Sequence, residues 1–310
     1  MKLTYDEFKA RFIEDFKDIL PEDYSDYEVV VKRVTKNNGC VMEGISLVDT
    51  VKHESGVTPA FYLDTLYDSY IMDDKTYDEV LVNAAVSYVH AMQNKPTNIT
   101  DKFIEAMDNP EMFKELVQFR LANEELNQEY LENSPHRKVQ DMAIIYAISL
   151  KEAPEYSTRI TNELLERVGI TEEELYTAAM ANLKSERITL KNMGEILVEI
   201  AEEHGMPLDH APELPMYLLT NESKLFGSRS ILNSEMLEDI REKLGENYYI
   251  LPSSIHEVIV VKEGAKSPEE LREIVYNINK GILDEKDFLS DNIYYYDGML
   301  RMHDSPEIEW

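Results

Sequence analysis

The chain has 310 residues, of which 43% are hydrophobic, enough to bury a sizeable core and too many for a disordered protein. Its 61 acidic and 31 basic residues give a formal net charge of −30 at pH 7, which disfavours direct binding to nucleic-acid phosphates. The longest apolar runs fall far short of the roughly 20 residues that span a bilayer. The single cysteine, Cys40, excludes an internal disulfide and is typical of a cytoplasmic protein.

The N-terminal region begins with a predicted helix followed by a predicted hairpin. Apolar residues at helical spacing predict a helix from Tyr5 to Leu20. The runs Tyr27 to Val34 and Val41 to Val48 are rich in branched residues and predict two strands. Because Asn37-Asn38-Gly39 lies between them, we expect a tight turn that pairs the two strands.

Two helices are predicted next, before a polar stretch. Thr58-Pro59 supplies an N-cap residue and a first-turn proline for a helix that reaches about Tyr70. Tyr77 to Met92 is a second amphipathic segment. Residues 93–98 are polar and contain Pro96, so they are the predicted boundary between two lobes.

Strands and helices are predicted to alternate in the rest of the chain. Two glycines, Gly169 and Gly245, mark predicted helix ends, and Thr171 with Glu174 forms a predicted capping box. The predicted strands are Val117 to Ala122, Met142 to Ile148, Met216 to Thr220, Tyr248 to Leu251 and Glu257 to Val261, with a hairpin at Tyr294 to Gly298. The predicted helices are Glu124 to Glu132, Thr161 to Val168, one opening at Thr171, Leu190 to Glu203, Ser234 to Leu244 and Ser267 to Asn279.

This order of elements predicts the fold class. Several strands are too close in sequence for regular strand–helix–strand units, because hairpins join them. We therefore predict an α+β fold with mixed or antiparallel sheets, packed helices and two lobes. The predicted domains are an N-terminal α+β lobe, 1–95, and a C-terminal α+β lobe, 100–310.

The strong motifs of common enzymes are absent from the sequence. It contains no phosphate-binding glycine loop, no nucleophile elbow and no paired C-x-x-C. The histidines His136, His204, His210 and His303 show no spacing typical of metal ligands. The sequence therefore predicts no metal site and no cofactor.

The segment from Leu251 to Glu257 is the most suggestive local cluster. If the chain is extended here, Ser254 and His256 lie on one face, as a nucleophile and a base would, with Glu257 as a third candidate catalytic residue. Working triads usually draw their members from separate elements, however. The favoured alternative is a turn in which the serines bond to backbone groups.

A second candidate site is the polar loop after the predicted strand at Met216 to Thr220. Asn221 and Arg229 lie in this loop, and an arginine can hold a carboxylate or a phosphate. Together with Ser253 they are candidate binding residues for a small ligand. The favoured alternative is a strand-to-helix connection with an arginine at the surface.

The charge leaves two interpretations of function open. Acids spread along the chain are typical of a soluble surface, and this is the favoured interpretation. Ordered carboxylates can also mimic nucleic-acid phosphates and bind a basic protein. The leading hypothesis is a non-enzymatic interaction protein with a protein partner, whose surface is basic if mimicry applies. The alternative is a hydrolase or small-ligand-binding protein that uses the Pro-Ser-Ser-Ile-His-Glu segment.

Several segments resemble one known family over nearly the whole chain. They are Phe119-Arg120-Leu121-Ala122-Asn123 with Asn127 and Pro135-His136, Asp141 to Tyr146, Met216 to Asn221, and Leu251 to Glu257. The chain resembles a family with a domain of unknown function that is common in anaerobic gut bacteria. The resemblance bears on fold and host, implies no known activity, and supplies no catalytic residue to carry over.

Overall fold

A computed structural model describes most of the chain and divides it into two compact units, Met1–Ile104 and Glu105–Trp310. The described residues are 2–50, 60–73, 75–94, 99–150, 153–206, 210–281 and 283–303. All strand pairings among them are antiparallel, which confirms the predicted α+β fold class. The domain limits 1–95 and 100–310 stay a prediction. In the described parts, no helix combines the length and the apolar character needed to cross a membrane.

In its described residues, the first unit contains three complete α-helices and a three-stranded sheet. Its elements are α1 (Tyr5–Ile19), β1 (Tyr27–Thr35), β2 (Val41–Asp49), β3 (Phe61–Tyr62), α2 (Leu63–Met72) and α3 (Tyr77–Gln93), and the unit ends within α4 (Ile99–Asp108). The predicted hairpin is confirmed, since Asn38 and Gly39 have φ of 59° and 69° between the paired strands. Phe8, Phe12 and Phe16 stack along α1 and form the centre of the core.

The helix predicted from Thr58-Pro59 begins later than expected. Residues 58 and 59 lie outside the described residues, and the helix starts at Leu63. Phe61 and Tyr62 instead form β3 and pair with β2. The Tyr62 ring packs over Gly44, at an ordinary van der Waals distance of 3.5 Å from where a Cβ would lie. Aromatic residues favour strand pairing, which here overrides the helix signal.

The second unit contains two sheets. The smaller one comprises β4 (Val117–Asn123), β5 (His136–Val139), β6 (Met142–Leu150) and β7 (Ala153–Arg159). β6 lies in the middle, with β4 along one edge and β5 followed by β7 along the other. Every residue of β6 is buried, so both faces of this sheet are covered.

The larger sheet has six strands in the order β13-β12-β10-β11-β9-β8. Its strands are β8 (Ile188–Asn192), β9 (Met216–Asn221), β10 (Tyr248–Leu251), β11 (Val258–Lys262), β12 (Tyr294–Tyr296) and β13 (Leu300–Met302). The helices of the second unit are α5 (Pro110–Leu116), α6 (Gln128–Glu132), α7 (Asn162–Val168), α8 (Glu172–Lys184), α9 (Met193–Glu203), α10 (Ser234–Leu244) and α11 (Pro268–Gly281).

The predicted helix from Leu190 to Glu203 is wrong at its start. Leu190 to Asn192 belong to β8, which pairs with β9. The helix α9 begins at Met193, because the Asn192 side chain caps it by accepting a hydrogen bond from Gly194 N–H. The neighbouring strand therefore decides a boundary that apolar spacing alone places too early.

The capping box predicted at Thr171 and Glu174 is present, and it allows a test of helix α8. Replacing Thr171 by alanine is expected to lower the free energy of unfolding by about 1 kcal/mol, because Glu174 N–H loses its acceptor. Thr171 also donates two hydrogen bonds to the Glu174 carboxylate, which lower the pKa of Glu174, and the contribution of these two bonds is lost as the pH falls through that pKa. Thr177→Ala, in the exposed middle of the same helix, serves as the control in urea titrations and should have little effect.

Candidate functional site

The segment from Ser253 to Glu257 is a turn between β10 and β11. Ser254 Oγ accepts a hydrogen bond from the His256 backbone N–H at 3.0 Å, as in the turn that the sequence favoured. The His256 imidazole points elsewhere, since its Nδ1 accepts from Phe226 N–H at 3.2 Å. Its Nε2 lies 3.3 Å from Asp287 Oδ1, which places the ring proton on Nε2. Ser254 and His256 are therefore not in the geometry of a nucleophile and its base.

Asn221 and Arg229 converge on one carboxylate. Arg229 Nε donates to Glu186 Oε2 at 3.0 Å, and Asn221 Nδ2 donates to Glu186 Oε1 at 2.8 Å. The Arg229 side chain is only 4% exposed and forms a forked ion pair with this glutamate. Glu186 therefore neutralises Arg229. A cavity of about 90 Å³, lined in part by Gln118, lies beside the pair.

The loop that carries these residues packs tightly against the turn at Ser253 to Glu257. Thr220 Oγ1 donates to the His256 carbonyl at 2.9 Å, and Ser228 Oγ donates to the Ile255 carbonyl at 2.7 Å. The structure thus brings both sequence-predicted clusters together. It joins them through hydrogen bonds from side-chain hydroxyls to backbone carbonyls, and the described atoms leave no room for a substrate at Gly227.

Arg120 lies behind this loop, in the middle of β4, and is 8% exposed. Its guanidinium carbon lies 3.7 Å from the centroid of the Phe226 ring, whose other neighbour is the His256 ring at 5.3 Å. Arg120 Nη2 donates to Ser157 Oγ on β7, whereas Nε is buried without a hydrogen-bond partner among the described residues. An arginine with an unused, buried donor is unusual, because buried polar groups are nearly always paired.

A second arginine, Arg159, lies on the same face of the sheet. Arg159 is partly buried. Its side chain donates no hydrogen bond and forms no ion pair within the described parts of the chain. Its guanidinium carbon lies 4.5 Å from the centroid of the Tyr130 ring of α6. The hydroxyls of Tyr130 and Ser134 are also buried, and a hydrogen bond from Ser134 lowers the pKa of Tyr130 against the effect of burial. We call Arg120, Arg159, Tyr130, Ser134 and Ser157 the arginine site.

The register of the sheet explains why these residues meet. Arg120 is opposite Ile145, and Arg159 is opposite Ala147, so both arginines share a face with alternate residues of β6. Small side chains occupy much of that face, namely Ala122, Ala143 and Ala147. A long arginine side chain can therefore lie across β6 and reach Ser157.

The arginine site carries positive charge without compensation. Burial lowers the pKa of Arg120, and the charges of Arg159 and Arg229 lower it further. Burial also lowers the pKa of Arg159. No carboxylate of the described residues raises the pKa of either arginine, although the chain has 61 acidic residues. Two guanidinium groups, which stay protonated at neutral pH, thus repel each other in a poorly solvated place.

Sequence reasoning missed the arginine site, although one signal was present. Arg120 stands between Phe119 and Leu121 in a strand whose residues are nearly all buried. Arginine is rarely buried unless it is paired, so a charge in such a strand marks a special role. The sequence gives no comparable signal for Arg159 or Tyr130, because their proximity depends on the pairing of β6 with β7.

Across the described residues, no group of three or more His, Cys, Asp and Glu side chains can hold a metal ion.

Comparisons with known proteins identify the chain at the level of a family. No curated protein and no solved structure matches the chain. One family model matches residues 5–298, which is nearly the whole chain, and this range includes the segments on which the resemblance rests. The chain therefore belongs to the family of unknown function DUF5688.

Proposed function

We propose that this protein binds a small anionic ligand at the arginine site and that this role is binding and not catalysis. The observation that carries the proposal is Arg120, whose guanidinium is 8% exposed and has no carboxylate partner among the described residues. Arg159, beside it, likewise has no carboxylate partner in the parts of the chain that the structure describes. A negatively charged group placed between them would provide the missing charge and accept the unused hydrogen bonds.

The energetic argument favours a ligand over a purely structural role. A buried charge without a partner lowers the free energy of unfolding by roughly several kcal/mol, even after the surrounding protein and water have relaxed around it. Stacking of Arg120 on Phe226 offsets about 0.5–2 kcal/mol of this. Residues that weaken a fold are typical of binding sites, where the ligand supplies the remaining interaction.

The proposal is tested by thermal unfolding of the full chain in sodium phosphate, sulfate, acetate and citrate, each against chloride at equal ionic strength. At least one anion is expected to raise the melting temperature by several degrees, since a ligand at 100 times its Kd adds about 2.7 kcal/mol. Arg120→Met should abolish the increase. Arg187→Met removes an arginine that is 84% exposed and should respond as the wild type does. Equal responses of all three proteins would refute the proposal.

A second candidate function, binding of a basic protein partner, is favoured by helix α9. Leu197 and Ile200 on this helix are 43% and 47% exposed. Exposed glutamates surround them, namely Glu195, Glu199, Glu202 and Glu203. An apolar patch with an acidic rim fits a partner whose apolar contact is edged by lysine or arginine. A cytoplasmic location, where such partners are met, is part of this proposal.

Affinity capture from the native source cells tests the second candidate. A partner bound by wild-type protein should be released steeply as salt rises, because the acidic rim is screened. The double variant L197S/I200S should fail to capture it. V82S/V86S provides the control, since Val82 and Val86 are also exposed and lie about one turn apart on a helix. If the amount of captured partner did not change with salt concentration, this result would argue against an acidic docking surface.

A further inference from the structure

Building on the proposed anion-binding function, we propose that the anion is the phosphate dianion of a monoester, bound between Arg120 and Arg159. The arginine site differs from an ordinary carboxylate site in its charge, in its supply of donors and in the directions from which they come. Each of these features is visible in the contacts of the described residues.

The charge of the arginine site matches a dianion. Three arginines interact in this region, and Glu186 neutralises one of them, Arg229. Arg120 and Arg159 remain, which leaves two positive charges. A carboxylate would balance one of these charges, whereas a phosphate monoester carries a charge of about −1.5 to −2 at pH 7.

The site supplies hydrogen-bond donors in excess of what a carboxylate can use. Arg120 Nε and the whole guanidinium of Arg159 are unused with respect to the described residues. The Ser134 hydroxyl donates to Tyr130, whose own hydroxyl proton can still be donated, and the Ser157 hydroxyl accepts from Arg120 and can donate in turn. The three terminal oxygens of a phosphate can accept from all of these groups, whereas a carboxylate offers two oxygens in one plane.

The donors approach from different elements. Arg120 lies on β4, Arg159 and Ser157 lie on β7, and Tyr130 lies on α6. Aromatic rings cover one face of each guanidinium, Phe226 at 3.7 Å from Arg120 and Tyr130 at 4.5 Å from Arg159. Because a ring covers one face of each guanidinium, the two arginines offer their N–H edges to the ligand. These edges form the fork that suits phosphate oxygens.

The exposure of the residues gives the orientation of the ligand. Arg120 is buried, whereas Arg159, Tyr130 and Ser157 are each partly exposed. The phosphate therefore lies toward Arg120, and the ester group extends past Arg159 toward solvent. This orientation predicts that the site distinguishes the anionic end more strictly than the organic group attached to it.

Isothermal titration of the full chain with phenyl phosphate, benzoate and inorganic phosphate tests the ligand class. Phenyl phosphate is expected to bind at least about tenfold more tightly than benzoate, which shares its ring and carries one charge. Its affinity should fall about fourfold between pH 7.5 and pH 5.5, because the second pKa of a phosphate monoester is about 6. Benzoate stays ionised in this range and provides the control for changes in the protein.

Variants separate the ligand class from the anion site itself. Arg120→Met and Arg159→Met should each weaken phenyl phosphate at least about tenfold, whereas Arg187→Met should not. Tyr130→Phe tests the hydroxyl without loss of the ring. Benzoate bound as tightly as phenyl phosphate would overturn the phosphate inference and leave the anion site standing. Inorganic phosphate bound as tightly as the ester would assign the site to free phosphate and overturn the monoester. Binding of none of the three, or binding unchanged by both arginine variants, would overturn both proposals.

Discussion

Replacing Arg120 by methionine is expected to raise the free energy of unfolding of the ligand-free protein by about 1–4 kcal/mol, an unusual direction for a substitution in a buried strand. The folded protein holds the proton of Arg120 less tightly than the unfolded chain does, because burial lowers the pKa of Arg120. The charged side chain therefore destabilises the fold at every pH below its folded pKa. Methionine fills a similar volume without charge.

Urea titration at neutral pH, without added anions beyond chloride, measures this effect. Arg120→Lys is the informative companion, since lysine keeps the charge and should bring no comparable gain. The same methionine variant should lose the response to anions, so higher stability and lost binding should appear together. A decrease in stability for Arg120→Met would mean that its contacts with Phe226 and Ser157 outweigh the buried charge.

Replacing Gly227 by alanine is expected to lower the free energy of unfolding by about 3 kcal/mol, through steric overlap that the surroundings cannot relieve. A Cβ at this position would lie 2.3 Å from Thr220 Oγ1, 2.6 Å from the His256 carbonyl oxygen and 2.8 Å from the Asn221 nitrogen. Two of these atoms belong to the backbone, which cannot rotate away. The loop and the turn at His256 would therefore separate.

Gly281→Ala is the matched control for this substitution. Among the described residues, a Cβ at Gly281 would meet nothing within 4 Å, and Gly281 lies at the end of helix α11. The control should change the free energy of unfolding by less than about 1 kcal/mol. A similarly small change for Gly227→Ala, measured by urea unfolding, would show that the loop can move away from the turn.

Local signals in the sequence predict most of the fold. Capping residues such as Thr171, and a turn such as Asn38-Gly39, act over three or four residues, so the sequence alone defines them. The errors arise where pairing with a distant strand decides the outcome. Leu190 belongs to β8 because this segment pairs with β9. Phe61 belongs to β3 because this segment pairs with β2.

The candidate site is less predictable than the fold for the same physical reason. The sequence makes Asn221 and Arg229 candidate binding residues, and the structure places them on Glu186, a partner that the sequence does not indicate. Whether Arg229 is free or neutralised depends on that one distant contact. The arginine site likewise depends on the register of three strands, which no local pattern in the sequence defines.

The conformation of Phe226 has a consequence for how this region opens. Its φ is 55°, a left-handed conformation that is strained for a residue with a large side chain. The ring is held between the guanidinium of Arg120 and the imidazole of His256, and these contacts offset the strain. The stacked Phe226 ring thus holds a strained loop in place. A ligand that draws the guanidinium away would remove this contact, and hydrogen exchange should then rise first at residues 221–229.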